Sequence, residues 1–204
     1  MKKEIRYLAL GDSYTIGESV EKEGSFPHQL AALLELEETI VCTEIKIVAK
    51  TGWTTAELKE GIKRAKPKGI YQLVTLLIGV NNQYRGYDMG IYLAELKELL
   101  DKAIAFAGGD PGKVVVVSIP DYGCTPFGKD LAQKIDLELR EYNQVAEKLA
   151  NQKGTCFVDI FQISKKAETN PNLIAADNLH PSADMYQLWA EAILPVATPI
   201  VSLP

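Results

Sequence analysis

Apolar positions in this chain fall into short runs separated by long amphipathic stretches. Ile5–Leu10 is a compact apolar run of strand length that stops at Gly11, Asp12 and Ser13. Phe26–Glu38 places Leu30, Leu33 and Leu34 on one helical face behind Ser25, a residue type suited to an N-cap. Thr43–Lys50 alternates apolar and polar residues, as a half-buried strand at a sheet edge would. Thr54–Ala65 opens with a threonine three residues before Glu57, the capping-box spacing, and predicts a second helix. The alternation then continues. Strands are predicted at Tyr71–Ile78, Lys113–Ile119 and Thr155–Ile160, and helices at Asp88–Ala107, Lys129–Gln152 and Ser182–Leu194. Five strands of nearly continuous apolar character, alternating with helices, predict a parallel sheet covered on both faces: an α/β fold of three layers, α/β/α.

Composition narrows the function. The 204 residues are 47% hydrophobic, within the range of one globular domain, and no repeat, low-complexity tract or linker divides residues 1–204. Lys and Arg number 22 against 27 Asp and Glu, and the resulting charge of −5 disfavours a nucleic-acid partner. No apolar stretch reaches membrane-spanning length, so stable membrane insertion is not expected. The amino terminus has no signal-like apolar core, which favours a cytoplasmic location, although a secreted chain trimmed of its signal would read the same. Cys42, Cys124 and Cys156 are odd in number and far apart, unlike a disulfide framework or a zinc site, so neither metal nor other cofactor is expected.

In an open parallel sheet, ligands gather at the carboxyl ends of the strands. The loops at that rim carry Ser13 in GDSY, Gly52 in KTGW, Asn81 in GVNNQY, and the pair Asp177 and His180 in DNLHP. A histidine acting as general base needs an acceptor on its other ring nitrogen, and Asp177 stands three residues away on the same loop. His28, the only other histidine, lies in a predicted helical turn with no carboxylate at a suggestive offset. Ser13 is either a nucleophile activated by such a base or a simple helix cap. No serine has glycines at both offsets of the G-x-S-x-G elbow. Gly52 could present an amide to a developing oxyanion or could merely supply positive φ; Asn81 could donate its carboxamide or serve a turn. Tyr14, Trp53 and Tyr84 are candidate substrate contacts, and the loop around Tyr122 and Phe127 is a candidate acyl pocket.

The order of these four blocks, LALGDSYTIG, KTGWTT, LLIGVNNQYRG and DNLHPS, resembles the SGNH hydrolases, the GDSL-type esterases and lipases. The resemblance implies a flavodoxin-like fold and a carboxylic ester hydrolase with Ser13 as nucleophile and His180 and Asp177 completing a triad. It also implies an oxyanion hole built from the Ser13 and Gly52 amides and the Asn81 side chain. The substrate would be a small-molecule ester with a small or medium acyl chain, with thioesters and lysophospholipids as alternatives on the same site and a non-catalytic flavodoxin-like binding module as the rival. One departure is Asn82, where the family usually has aspartate. It reads as a supporting residue at which aspartate should be tolerated, and the oligomeric state is not legible.

Overall fold

The computed structural model describes residues 2–37 and 39–202. Five strands run in parallel: β1 (Lys3–Gly11), β2 (Ile40–Ala49), β3 (Leu73–Leu77), β4 (Val114–Val117) and β5 (Cys156–Val158), in the spatial order β2-β1-β3-β4-β5. The eight helices among the described residues are α1 (Ser13–Ile16), α2 (Phe26–Glu35), α3 (Thr55–Ala65), α4 (Val80–Tyr84), α5 (Met89–Phe106), α6 (Ala132–Lys153), α7 (Phe161–Ser164) and α8 (Ala183–Ser202). The expected α/β fold is thus observed. Residues of β3 and β4 are buried throughout, because helices cover both of their faces.

β2 is an edge strand, as its alternation predicts, but it starts earlier, at Ile40. A bulge explains the difference: Ile5 pairs with Cys42 and Arg6 with Glu44, leaving Thr43 unpaired, and its hydroxyl donates to the Ile5 carbonyl at 3.2 Å. The helix expected at residues 26–38 ends at Glu35, and residue 38 lies outside the described residues. Ser25 occupies the N-cap position without capping; its hydroxyl instead bonds the Lys22 carbonyl and His28 Nδ1, both at 2.8 Å. The closing helix, expected to end near Leu194, continues through Pro195 and Pro199 to Ser202. Buried Ile193, Ala197 and Val201 recur every four residues, so the packed stripe continues past both prolines.

The chain leaves β1 to build β2 on one side, then crosses to build β3 on the other. That reversal places the switch point between the carboxyl ends of β1 and β3, where a crevice forms between the outgoing loops. Ser13 follows β1 and Asn81 follows β3.

Candidate functional site

β1 ends at Gly11, which has no room for a side chain: a Cβ would sit 2.4 Å from the Leu77 carbonyl oxygen. The chain therefore turns tightly into α1. Asp12 is its N-cap and accepts the Tyr14 amide at 3.1 Å, which leaves Ser13 as the first helical residue. Neither the Ser13 amide nor the Ser13 hydroxyl has a hydrogen-bond partner among the described residues. Ser13 is almost fully buried, yet it lines a cavity of about 170 Å³.

Gly52 lines the same cavity. Its φ of 81° lies in the left-handed region that glycine adopts without strain. Its amide likewise has no partner among the described residues. Two side chains from the β3 end hold the two carbonyls that follow: the Arg85 guanidinium donates to the Gly52 carbonyl at 2.6 Å, and Asn81 Nδ2 donates to the Trp53 carbonyl at 3.0 Å. A carboxamide nitrogen has two hydrogens, so Asn81 keeps a second donor at the cavity wall.

The neighbouring asparagine faces inward. Asn82 is fully buried; its Oδ1 accepts the Thr55 amide at 3.0 Å and its Nδ2 donates to the Thr55 hydroxyl at 2.7 Å, at the start of α3. The Thr55 hydroxyl spends its one hydrogen on Glu95, at 2.5 Å. The partner at position 82 must therefore donate, which an amide does and an ionised carboxylate does not. This argues against the expectation that aspartate would be tolerated at position 82. Both asparagines lie in α4, where consecutive residues point about 100° apart, and not at a strand end.

His180 comes from the loop before α8. The Ala175 amide donates to the His180 carbonyl at 2.8 Å, Ile174 and Pro181 form an antiparallel bridge, and Asn178 turns the loop with φ 64°. Asp177 Oδ1 accepts the amides of Leu179 at 3.0 Å and His180 at 2.9 Å, while Oδ2 meets His180 Nδ1 at 2.6 Å. Burial pushes the Asp177 carboxyl up, but the hydrogen bonds from Ser19, His180 and the two amides outweigh it and hold the group well below the usual carboxylate range. The acid is therefore charged.

Of the candidate substrate contacts, Tyr14 and Tyr84 line the cavity and Trp53 does not. Tyr14 is buried, its ring edge-on to His180 at 5.7 Å and to Trp189 at 6.0 Å. Tyr84 stacks into a triangle with Tyr122 and Phe127, with ring centres 6.1–6.3 Å apart. The Trp53 ring instead lies on α3: a Cβ at Gly61 would come within 2.1 Å of it. Proximity in sequence to Gly52 is no guide to where that ring points. The loop through Tyr122 and Phe127 does form one wall, as its length and aromatic content predict. Leu179 and Val80, small parts of short motifs, complete the apolar lining. His28 is away from this cavity, and burial together with nearby Lys22 lowers its pKa. Among the described residues no group of His, Cys, Asp or Glu could hold a metal ion, and no helix is long and apolar enough to cross a membrane.

A parallel sheet with a serine at the end of β1 and a carboxylate-bonded histidine before the last helix has the arrangement of a hydrolase. Residues 9–188 match the GDSL-like lipase/acylhydrolase family, and the chain belongs to that family, whose members are carboxylic ester hydrolases. Solved structures share the fold. A lipolytic protein of the G-D-S-L family from Veillonella parvula is 20% identical, with 95% of this chain and 98% of that one covered and a TM-score of 0.72. A lipase/acylhydrolase from Enterococcus faecalis is 18% identical over 98% of this chain and 96% of that one, with a TM-score of 0.71. An acetylxylan esterase from Geobacillus stearothermophilus is 21% identical over 97% and 96%, with a TM-score of 0.66. A comparison with curated proteins gives no match.

Proposed function

We propose that this chain cleaves carboxylic esters of small or medium acyl chain through an acyl-enzyme on Ser13. The observation that carries the reading is the 2.6 Å contact between His180 and Asp177 beside a cavity that Ser13 and two unpartnered amides also line. A charged carboxylate against Nδ1 assigns the ring proton to Nδ1 and leaves Nε2 as the base. Nε2 takes the Ser13 proton as Oγ attacks the ester carbonyl. The carbonyl oxygen gains negative charge where the Ser13 and Gly52 amides and the free Asn81 N–H can meet it. Collapse expels the alcohol, protonated by His180, and leaves the acyl group on Ser13. Water, deprotonated by His180, then attacks the acyl carbon and releases the acid.

The cavity volume favours small acyl groups, since pockets for drug-sized ligands occupy roughly 300–1,000 Å³. Its aromatic triangle supplies an apolar wall for them. Turnover of p-nitrophenyl esters of increasing chain length, alongside thioesters and lysophospholipids, identifies the preferred class. Ser13→Ala should lower kcat by about 10⁶-fold while leaving the fold intact. Turnover within tenfold of the native protein would refute the assignment.

A further inference from the structure

We infer that Ser19 is a positioning residue of the same site, fixing the Asp177 carboxylate in the orientation His180 requires. The inference rests on the proposed roles of Ser13, His180 and Asp177. Two of the four hydrogen bonds to Asp177 reach Oδ1 from amides of its own loop. They pin one oxygen. The terminal torsion of an aspartate is broad, so the plane of the carboxylate depends on what meets the other oxygen. That oxygen, Oδ2, takes His180 Nδ1 at 2.6 Å and the Ser19 hydroxyl at 2.6 Å. Ser19, 158 positions earlier in the chain, is the only donor among the described residues that reaches this carboxylate from outside the 177–180 loop.

The backbone bears the same mark. Ser19 has φ 66°, in the left-handed region where glycine is at ease and a residue with a Cβ is not. Glycine would fit the turn more easily but would bring no hydroxyl. The turn is also tied to the nucleophile, because the amides of Gly17 and Glu18 both donate to the Ser13 carbonyl at 3.1 Å. The Glu18 carboxylate accepts the hydroxyl of Thr51, which is adjacent to Gly52. One short turn thus links the nucleophile, the oxyanion loop and the acid.

The test is steady-state kinetics of Ser19→Gly and Ser19→Ala on a p-nitrophenyl ester, with melting temperatures measured in parallel and Ser13→Ala as control. Loss of the hydroxyl should lower kcat about tenfold, equivalent to ~1.4 kcal/mol of transition-state stabilisation, with KM changed less than about twofold. Ser19→Gly relieves the backbone, so its melting temperature should equal or exceed that of the native chain. If both variants retain kcat within twofold while Ser13→Ala is inactive, Ser19 has no positioning role. A kcat loss that appears only with a lower melting temperature overturns it as well. An active Ser13→Ala variant would instead bring down the reading of the site itself.

Discussion

Asn81 and Asn82 have the same side chain and differ in what surrounds it. Asn81 lines the cavity with one N–H committed to the Trp53 carbonyl, whereas Asn82 is sealed against Thr55. On the proposed role of Asn81, its donor acts mainly in the transition state, and Asn81→Ala should lower kcat by roughly 10²–10³ with little change in KM. Asn82→Ala should leave the buried Thr55 amide without its partner and cost about 1–3 kcal/mol of stability, with a smaller effect on kcat. Asn82→Asp should be destabilising too, since two carboxylates would compete for one Thr55 hydrogen. Kinetics and melting curves of the three variants check this; a crippling Asn82→Ala beside a nearly silent Asn81→Ala would contradict it. The order of Ser13, Gly52, Asn81, Asp177 and His180 was legible in the sequence because short motifs carry it. Ser19 was not legible, since nothing in local spacing announces a partner so distant in the chain.

At the scale of elements, α3 ties the loop that carries Gly52 to the body of the protein. Its capping box forms as the sequence predicts: Glu57 accepts the Thr54 amide at 2.8 Å, and the Thr54 hydroxyl accepts the Glu57 amide at 3.4 Å. Glu57 also pairs with Arg85, whose other nitrogen holds the Gly52 carbonyl. Gly61, inside this helix, should by propensity gain about 1 kcal/mol on replacement by alanine. The Trp53 ring reverses the sign. A Cβ would lie 2.1 Å and 2.4 Å from two of its ring atoms, so Gly61→Ala should instead cost ~1–3 kcal/mol. The displaced indole would also disturb the adjoining Gly52, so kcat should fall although Gly61 does not line the cavity. A more stable and fully active Gly61→Ala would show that Trp53 yields freely. Strand runs and the capping box of α3 are local, and sequence exposes them, whereas Ser25 turns its hydroxyl to Lys22 and His28 instead of capping α2. The bulge at Thr43, the continuation of α8 past two prolines and the direction of the Trp53 ring depend on tertiary packing, which no local pattern encodes.

For the whole molecule, the five-stranded parallel sheet was readable because runs such as Val114–Val117 are buried on both faces and carry no polar interruption. The same burial sets a pH dependence. Asp12 is fully buried with Oδ2 unpartnered, and burial pushes its carboxyl up to about 7. The folded chain then keeps a proton that the unfolded chain releases near pH 4. The stability contribution is fully present below about pH 4 and is lost as the pH rises towards 7, on the order of a few kcal/mol in all. Asp12→Asn keeps an oxygen to cap Tyr14 but does not titrate. Denaturant unfolding from pH 4 to 8 should therefore give a shallower curve for the variant across that window, and parallel curves would contradict the account.

The central claim, an acyl-enzyme on Ser13, is tested most directly by fluorophosphonate labelling with the modified residue located by mass spectrometry. A phosphonate should form on Ser13 alone, in step with the loss of ester turnover, and Ser13→Ala should remain unlabelled. Labelling at another serine, or full turnover in a protein whose Ser13 is modified, would contradict the account.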